Sequence, residues 1–269
     1  MLLFVQKSFI FQIIYCICAI VGKNVINFIS AVGRFCIFLK KISSSCVGGS
    51  FFVKNFFNAF VVNGFCSVPI VSLTGLFTGG VLTLQLFISL KIFGIDNAIP
   101  YIVLLSLMKE LAPVLCALTI VSRVGSSMSA EIGSMVIGNQ IDALASMSIN
   151  RYRFLYIPRI FAMTIAQPVL TTVTVIAGVV GSFLVSTRMF GFTDVYFYHL
   201  IYDGFVLHAY YTCVVKGAIF GFIISSIACY KGDKTGNGSM GVKNATISTV
   251  VMCCVCILVV NFMITWLMG

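Results

Sequence analysis

Apolar residues in this chain fall into long runs that are separated by short polar stretches. A run of about twenty apolar residues is long enough to cross the hydrocarbon core of a bilayer as an α-helix. Five runs reach this length, and they cover residues 56–84, 99–121, 155–185, 207–230 and 247–268. The pattern predicts an all-α integral membrane protein with five transmembrane helices. Pro158 and Pro168 lie in the third run and predict that this helix is kinked or broken.

The composition supports this fold class. Hydrophobic residues make up 60% of the 269 residues and charged residues 9%, and the mean hydropathy is +1.10. A soluble domain of this length would need more charged residues to cover its surface. We therefore expect an N-terminal apolar and interfacial helical segment over residues 1–54, one membrane domain over residues 55–269, and no second globular domain.

The N-terminal segment has two parts. Residues 1–22 are apolar enough for a sixth transmembrane helix or an uncleaved signal, and a plain hydrophobic anchor is an equal alternative. Beyond them, apolar residues recur at helical spacing beside Lys and Arg, at Val25, Phe28, Ile29, Val32 and Phe35. This second part predicts a helix that lies in the membrane interface.

The basic residues indicate how the helices are oriented. The formal net charge is +10, but Lys and Arg are scattered between the apolar runs and form no single basic face, which argues against nucleic-acid binding. Thirteen of the 17 lie before the first run, around the second-to-third connection and in the fourth-to-fifth connection, whereas Lys91 and Arg188 lie in the opposite connections. Since positively charged loops stay in the cytoplasm, the crowded side is predicted to be cytoplasmic.

No pattern in the sequence predicts an enzyme active site, a metal site or a cofactor. Cys253 and Cys256 form a C-x-x-C pair within an apolar run, where thiols act as small hydrophobes, and two His are too few for a ligand set. The stretch GNGSMG matches a dinucleotide fingerprint, but no strand is predicted before it. The sequence has no P-loop motif, so any ATP hydrolysis must come from a partner.

Charged residues also fall inside the apolar runs, where burial is costly and marks a functional site or a charge pair. Lys109 and Glu110 lie about ten residues, or about 15 Å, into the second run, and Lys216 lies at a similar depth in the fourth. We expect these side chains to meet in the helix bundle. A Lys–Glu pair that only joins two helices is the structural alternative.

The connection after the second run, SRVGSSMSAEIGSM and the residues beyond it, mixes small, polar and apolar residues. Apolar residues continue there at helical spacing, at Ile132, Val136, Ile141 and Leu144. Polar residues interrupt them, at Glu131, Gln140 and Asp142. The pattern predicts a short, half-polar helix at the cytoplasmic face, and an ordinary loop is the alternative.

Residues 107–162 resemble the signature region of MlaE-type permeases, with the sequence LMKELAPVLCALTIVSRVGSSMSAEIGSMVIGNQIDALASMSINRYRFLYIPRIFA. These permeases are membrane subunits of ABC transporters that move phospholipid between the two membranes of Gram-negative bacteria and plastids. Further matches are VSLTGLFTGGVLTLQ in the first run and YKGDKTGNGSMGVKNATISTVV before the fifth. The resemblance covers about residues 20–269.

The resemblance implies an interfacial helix plus five spans, a homodimer, cytoplasmic ABC ATPase subunits and a periplasmic MCE-type lipid-binding subunit. It implies that the second-to-third connection is a coupling helix, with ATPase-coupling residues Glu131, Gln140, Asp142 and Leu144. Asn139 stands where the family usually has Glu, and Asn150-Arg151 where it usually has Asp-Pro. The implied location is the bacterial inner membrane, with the plastid inner envelope as an alternative.

The resemblance also implies a lipid cavity near the dimer axis, lined from the first span by Leu76, Gly79, Leu82 and Leu86. Gly75, Gly79 and Gly80 are small enough to favour close helix contact as well. Ordinary packing is therefore the alternative role for this set.

Family members often carry Asp where this chain has Asn261, which leaves Lys109 and Lys216 with Glu110 alone. We predict that the surplus Lys holds a phospholipid phosphate, and that Asn261→Asp stabilises the protein while reducing bound lipid. A neutral Lys, or one that reaches water at the outer face, is the alternative.

The sequence therefore predicts a non-catalytic permease subunit that moves phospholipid between inner and outer membranes, powered by a separate ATPase. An ion-coupled membrane carrier and a membrane-embedded lipid enzyme are the alternatives. Paired carboxylates, a His cluster or a nucleophile with a base would favour the enzyme, and the predicted spans contain none of them.

Overall fold

The computed structural model describes residues 22–23, 26, 29–45, 53–91, 99–190, 199, 207–236 and 238–268. Within these ranges the chain is almost entirely helical and contains no β-strand, which confirms the all-α prediction. Residues 1–21, for which the sequence leaves a sixth span open, lie outside the ranges. So do Val25 and Phe28 of the predicted interfacial helix.

We number the described helices in chain order. They are α1 (residues 29–45), α2 (Val53–Asn63), α3 (Val68–Lys91), α4 (Ile99–Ile137), α5 (Gln140–Ser146), α6 (Tyr152–Phe190), α7 (Leu207–Asp233) and α8 (Gly238–Met268). Helix α1 belongs to a compact unit over Met1–Gly48, and its interfacial position remains a prediction. All the other helices belong to a second unit over Gly49–Gly269.

Five helical segments of the described chain are long and apolar enough to cross a membrane. They are Val53–Leu90, which combines α2 and α3, together with α4, α6, α7 and α8. This agrees with the five predicted spans, but the helices are longer than the apolar runs. Hydropathy marks only the part of a helix that lies in hydrocarbon, whereas backbone hydrogen bonding continues into the polar layers.

The first span is divided into two helices. Helix α2 ends at Asn63, a short 3₁₀ turn covers Phe65–Ser67, and α3 begins at Val68. Pro69 follows at the start of α3, where its missing N–H costs no helical hydrogen bond. The turn presents the Ser67 hydroxyl to Arg123 of α4, whose Nη1 donates to it at 2.5 Å.

Helix α4 does not end where its apolar run ends. It continues from Ile99 to Ile137 because residues of its last third are buried in the bundle, including Met128, Ser129 and Ile132. Ser129 accepts a hydrogen bond of 2.9 Å from Thr249 of α8. The stretch predicted as the start of a separate coupling helix is therefore the end of a transmembrane helix, and only α5 is a separate short helix.

Helix α6 passes through Pro168 without interruption, so it is not broken there. The hydroxyls of Thr171 and Thr172 donate to the Pro168 carbonyl at 2.7 and 2.9 Å. Helix α7 approaches α6 closely at the same level, since a Cβ on Gly217 would lie 3.1 Å from the Cα of Pro168.

Helices α3 and α6 are in backbone contact. A methyl group on Gly79 would overlap the backbone of Gly178, and one on Gly181 would overlap the carbonyl of Leu76. A buried hydrogen bond of 2.8 Å from Thr83 to Ser182 joins the same two helices. The close helix contact predicted at Gly79 is present, and small residues on both helices allow it.

Candidate functional site

The candidate site is a polar cluster in the membrane-spanning bundle. Helix α4 supplies Glu110, α7 supplies Lys216, and α8 supplies Asn261 and Thr265. Around Glu110, α4 widens into a π turn over Leu107–Leu111. Such π turns inside α-helices are frequent at functional sites, and this one presents the Lys109 carbonyl to the cluster.

Lys216 is the centre of the cluster and is only 1% exposed. Its ammonium donates to the Lys109 carbonyl at 2.8 Å, to Glu110 Oε1 at 2.9 Å and to Thr265 Oγ1 at 2.8 Å. An ammonium has three N–H donors, so all of them are used within the chain. Lys216 therefore has no donor left for a lipid phosphate, so of the two lysines in the predicted network it is not the surplus cation.

Glu110 accepts hydrogen bonds on both carboxylate oxygens. Oε1 accepts from Lys216 and from the Thr265 hydroxyl at 2.8 Å, and Oε2 accepts from the Asn261 amide at 3.0 Å. The Glu110 side chain is nevertheless 40% exposed on the surface of the single chain. A half-exposed carboxylate at membrane depth must face protein or a water-filled cavity, because contact with hydrocarbon is too costly.

The predicted network is thus only partly assembled. Lys216, Glu110 and Asn261 meet, whereas the Lys109 side chain is exposed and only its backbone carbonyl takes part. Thr265 belongs to the cluster but was missed by sequence reasoning. Its spacing from Asn261 was the available signal, since residues four apart lie on one face of a helix.

The geometry at Asn261 argues against the expectation that Asn261→Asp stabilises the protein. Its amide lies 3.0 Å from Glu110 Oε2, so an Asp at this position would bring a second carboxylate against the first. Asn261→Asp should therefore destabilise the cluster by repulsion rather than stabilise it. The Asn261 Oδ1 atom is buried and has no hydrogen-bond partner among the described residues.

The predicted coupling residues lie on two different helices. Glu131 is on α4 and binds Arg159 of α6 through an ion pair of 2.6 Å, whereas Gln140 and Asp142 are exposed on α5 and Leu144 is half-buried. Helices α4 and α5 are joined at Asn139, whose φ of 53° is left-handed. Asn tolerates this conformation better than most residues with a side chain.

A second polar contact at this end of the bundle joins α6 to α7. Arg151 Nη1 lies 3.2 Å from Asp233 Oδ1, and the Tyr156 hydroxyl donates to the same oxygen at 2.6 Å. Burial by itself would lower the pKa of Arg151, but the Asp233 carboxylate outweighs it and raises this pKa above its usual value. Arg151 therefore stays charged and fixes the start of α6.

The four predicted lipid-cavity residues all contact helices of the same chain. Leu76 and Gly79 face α6, as described above. Leu82 and Leu86 are half-buried and pack against the start of α4, at Ile99, Val103 and Leu107. A role in lipid contact remains a prediction for this set.

Comparison with known proteins decides the family. The chain matches the family Permease MlaE over residues 56–267. The chain belongs to the MlaE permease family. It is 36% identical to a probable ABC transporter permease protein of Rickettsia typhi, over 93% of this chain and 96% of the relative. It is 32% identical to the intermembrane phospholipid transport system permease protein MlaE of Haemophilus influenzae, over 92% of this chain and 95% of the relative.

A probable ABC transporter permease protein of Synechocystis is also similar, with 34% identity over 75% of this chain and 77% of the relative. Family membership and the five apolar helices together make this MlaE permease a multi-pass membrane protein and an ABC transporter permease subunit. The resemblance of residues 107–162 to MlaE-type permeases is therefore confirmed.

Proposed function

We propose that this permease moves phospholipid between the inner and outer membranes of a bacterium, with ATP hydrolysis supplied by separate cytoplasmic subunits. The observation that carries the proposal is the pair of neighbours Lys109 and Glu110, one exposed and one half-exposed on a membrane-spanning helix. Charged groups at this depth mark a polar pathway. The name of the Haemophilus relative supports phospholipid as the substrate.

Lys109 is the residue that we assign to the lipid phosphate. Its side chain is exposed, and within the described residues it makes no ion pair or hydrogen bond, whereas Lys216 is fully paired. A second copy of the chain would cover this face of α4 and enclose the pathway, so we propose a homodimer. Leu76, Leu82 and Leu86 would then contact acyl chains where they are not already covered by α4 and α6.

We also propose two partner proteins. The exposed polar surface of α5, with Gln140 and Asp142, is proposed to dock on a cytoplasmic ABC ATPase. An MCE-type lipid-binding subunit would accept or deliver lipid on the periplasmic side. The proposed location is the bacterial inner membrane, and the plastid inner envelope is the alternative.

The test is lipid transfer by the permease, reconstituted with its ATPase, between vesicles and the periplasmic subunit. Transfer of unmodified phospholipid should require ATP hydrolysis. Transfer driven by an ion gradient without ATP would identify a carrier, and a chemically changed lipid would identify an enzyme.

Lys109→Gln should lower the amount of co-purified phospholipid and the transfer rate by about tenfold, because a charge-assisted hydrogen bond to phosphate is lost. The matched control is Lys243→Gln, which removes an exposed lysine on α8 outside the cluster. An equal loss in both variants would show that Lys109 does not hold the phosphate.

A further inference from the structure

A cavity of about 290 Å³ lies at the end of the bundle that the charge pattern assigns to the cytoplasm, apart from the Lys216–Glu110 cluster. We call it the cytoplasmic cavity. Its walls come from α2, the last third of α4 and the start of α6. Its polar lining residues are Asn55, Asn58, Asn63, Ser127, Glu131 and Arg159.

Several polar groups of this lining have unused hydrogen-bonding capacity. Arg159 donates from Nη2 to Glu131 Oε1, but its Nη1 is buried and has no partner among the described residues. Three further groups make no hydrogen bond to any residue that the structure describes: the side-chain amides of Asn58 and Asn63, and the Oε2 atom of Glu131. An unpaired buried guanidinium N–H is costly, so an acceptor is expected beside it.

The cavity lies at the depth of lipid head groups. Helix α4 starts at Ile99 on the opposite side of the membrane, and Ser127 lies about 42 Å further along it at the helical rise. A bilayer is about 30 Å thick in its hydrocarbon core and about 40–45 Å thick with its polar layers. The lining residues of α4 therefore reach the inner head-group layer and not the hydrocarbon.

The surroundings of the cavity are also suited to a lipid. Val62 lines it and is 54% exposed, and Phe57 and Val61 on the same helix are 60% and 50% exposed. These side chains give α2 an uncovered apolar surface beside a polar cavity. A head group in the cavity would leave its acyl chains against this surface.

The charges select the kind of head group. Arg159 and Glu131 are of opposite sign and 2.6 Å apart, so the cavity carries no net charge from this pair. A phosphate could accept from Arg159 Nη1 and the Asn amides, but without a cation of its own it would be repelled by Glu131. An amine on the same ligand would turn that repulsion into attraction, because Glu131 Oε2 can accept from it.

We propose that the cytoplasmic cavity binds the zwitterionic phosphate-amine head group of an inner-leaflet phospholipid. Arg159, Asn58 and Asn63 hold the phosphate, and Glu131 holds the amine. The volume is near the lower limit of small-molecule pockets, which fits a head group and excludes whole acyl chains. The site is separate from Lys109 and does not depend on the proposed transport activity.

The test measures lipid binding to the full-length purified permease by native mass spectrometry during titration with short-chain phosphatidylethanolamine. All variants carry Lys109→Gln, so that the other proposed lipid contact does not contribute. Arg159→Lys, which retains the charge but loses the Nη1 donor, and Asn58→Leu should each weaken binding of one lipid per chain by about tenfold or more.

Matched controls are available at the same end of the bundle. Arg151→Lys alters another ion-paired arginine, and Asn244→Leu alters another exposed asparagine, on α8. Neither residue lines the cavity, so binding should stay within about twofold of the parent. Asn58 is exposed on α2, so its variant should fold even if the Arg159 variant does not.

Head-group preference provides a readout that a purely structural role would not change. The parent should prefer phosphatidylethanolamine to phosphatidylglycerol, and Glu131→Gln should reverse this order because it leaves Arg159 without a counter-charge. Equal binding by site variants and controls, or an unchanged preference, would overturn the proposal. Displacement of the lipid by inorganic phosphate alone, or by the ATPase, would also overturn it, since the first indicates a soluble-phosphate site and the second a protein-docking site.

Discussion

The two helix-joining ion pairs that contain Glu110 and Glu131 differ in how far they are exposed and in how completely their cations are hydrogen-bonded. Lys216 is 1% exposed and gives all three of its N–H donors to groups of the same chain. In the other pair, Glu131 is 54% exposed and Arg159 keeps an unpaired N–H. Glu110 is itself 40% exposed but its cation is buried, so water screens the first pair less than the second, and similar distances of 2.9 and 2.6 Å correspond to different energies.

The difference suggests separate roles for the two ends of the bundle. The Lys216–Glu110 cluster connects α4, α7 and α8 by hydrogen bonds that leave little freedom, so it fixes their relative positions. The pair at Glu131 has groups that remain available to a ligand. We therefore expect substitutions in the cluster to change stability most, and substitutions at the cytoplasmic end to change binding most.

The largest effect is expected for Lys216→Met. This change leaves Glu110 without its cation in the bundle and should lower the free energy of unfolding by about 3 kcal/mol. The measurement is the thermal midpoint of the detergent-solubilised permease, which should fall by several degrees.

Lys234→Met is the control for that experiment, because Lys234 donates to Tyr230 at the exposed end of α7 and should cost less than about 1 kcal/mol. Adding Glu110→Gln to Lys216→Met should recover part of the loss, since no unpaired charge remains. A double variant less stable than the single one would contradict the ion-pair account.

The next effect concerns Asn261→Asp, which should lower the free energy of unfolding by about 1–3 kcal/mol through repulsion from Glu110. Asn261→Leu removes the amide without adding charge and should cost less. If the Asp variant is more stable than the parent, Lys109 must reach the cluster, and the original expectation from sequence would be restored.

The sequence predicted the membrane depth of the cluster more accurately than it predicted which side chains contact each other there. Lys109 and Glu110 are neighbours along α4, but neighbouring residues point in different directions on a helix, so only Glu110 faces Lys216. Rotation of a helix that is apolar on nearly all sides cannot be determined from hydropathy. Thr265 was missed because its only signal, the four-residue spacing from Asn261, does not show which neighbouring helix that face contacts.

Helix ends were predicted less well for a related reason. The polar stretch around Glu131 looked like a connection, but Ser129 and Ile132 are buried against α7 and α8, and tertiary packing extends α4 to Ile137. The break before α3 was also missed, although Gly64 and Pro69 were its available signals. Family membership needed neither detail, because it depends on a long motif and not on helix boundaries.

A change on α5 should affect the partner and leave the cluster intact. Asp142 is exposed, so Asp142→Lys should weaken ATPase association by about tenfold with no change in thermal midpoint. Asn244→Lys adds a positive charge on an exposed part of α8 and is the control. Unchanged co-purification and unchanged lipid-stimulated ATP hydrolysis in the Asp142 variant would argue against a docking role for α5.

The smallest effect is expected for the coupling between Arg159 and Glu131. Measuring it directly compares this ion pair with the Lys216–Glu110 pair. A double-mutant cycle with Arg159→Met and Glu131→Gln should give a coupling energy below about 1 kcal/mol, because solvent reaches Glu131 and an exposed pair gains little. The same cycle with Lys216→Met and Glu110→Gln should give a coupling energy at least about twice as large. Raising the salt concentration should reduce the first coupling and leave the second nearly unchanged, since buried charges are screened less. Equal coupling energies at both sites would mean that Arg159, whose side chain is only 14% exposed, behaves as a buried ion and that the cytoplasmic end is as rigid as the cluster.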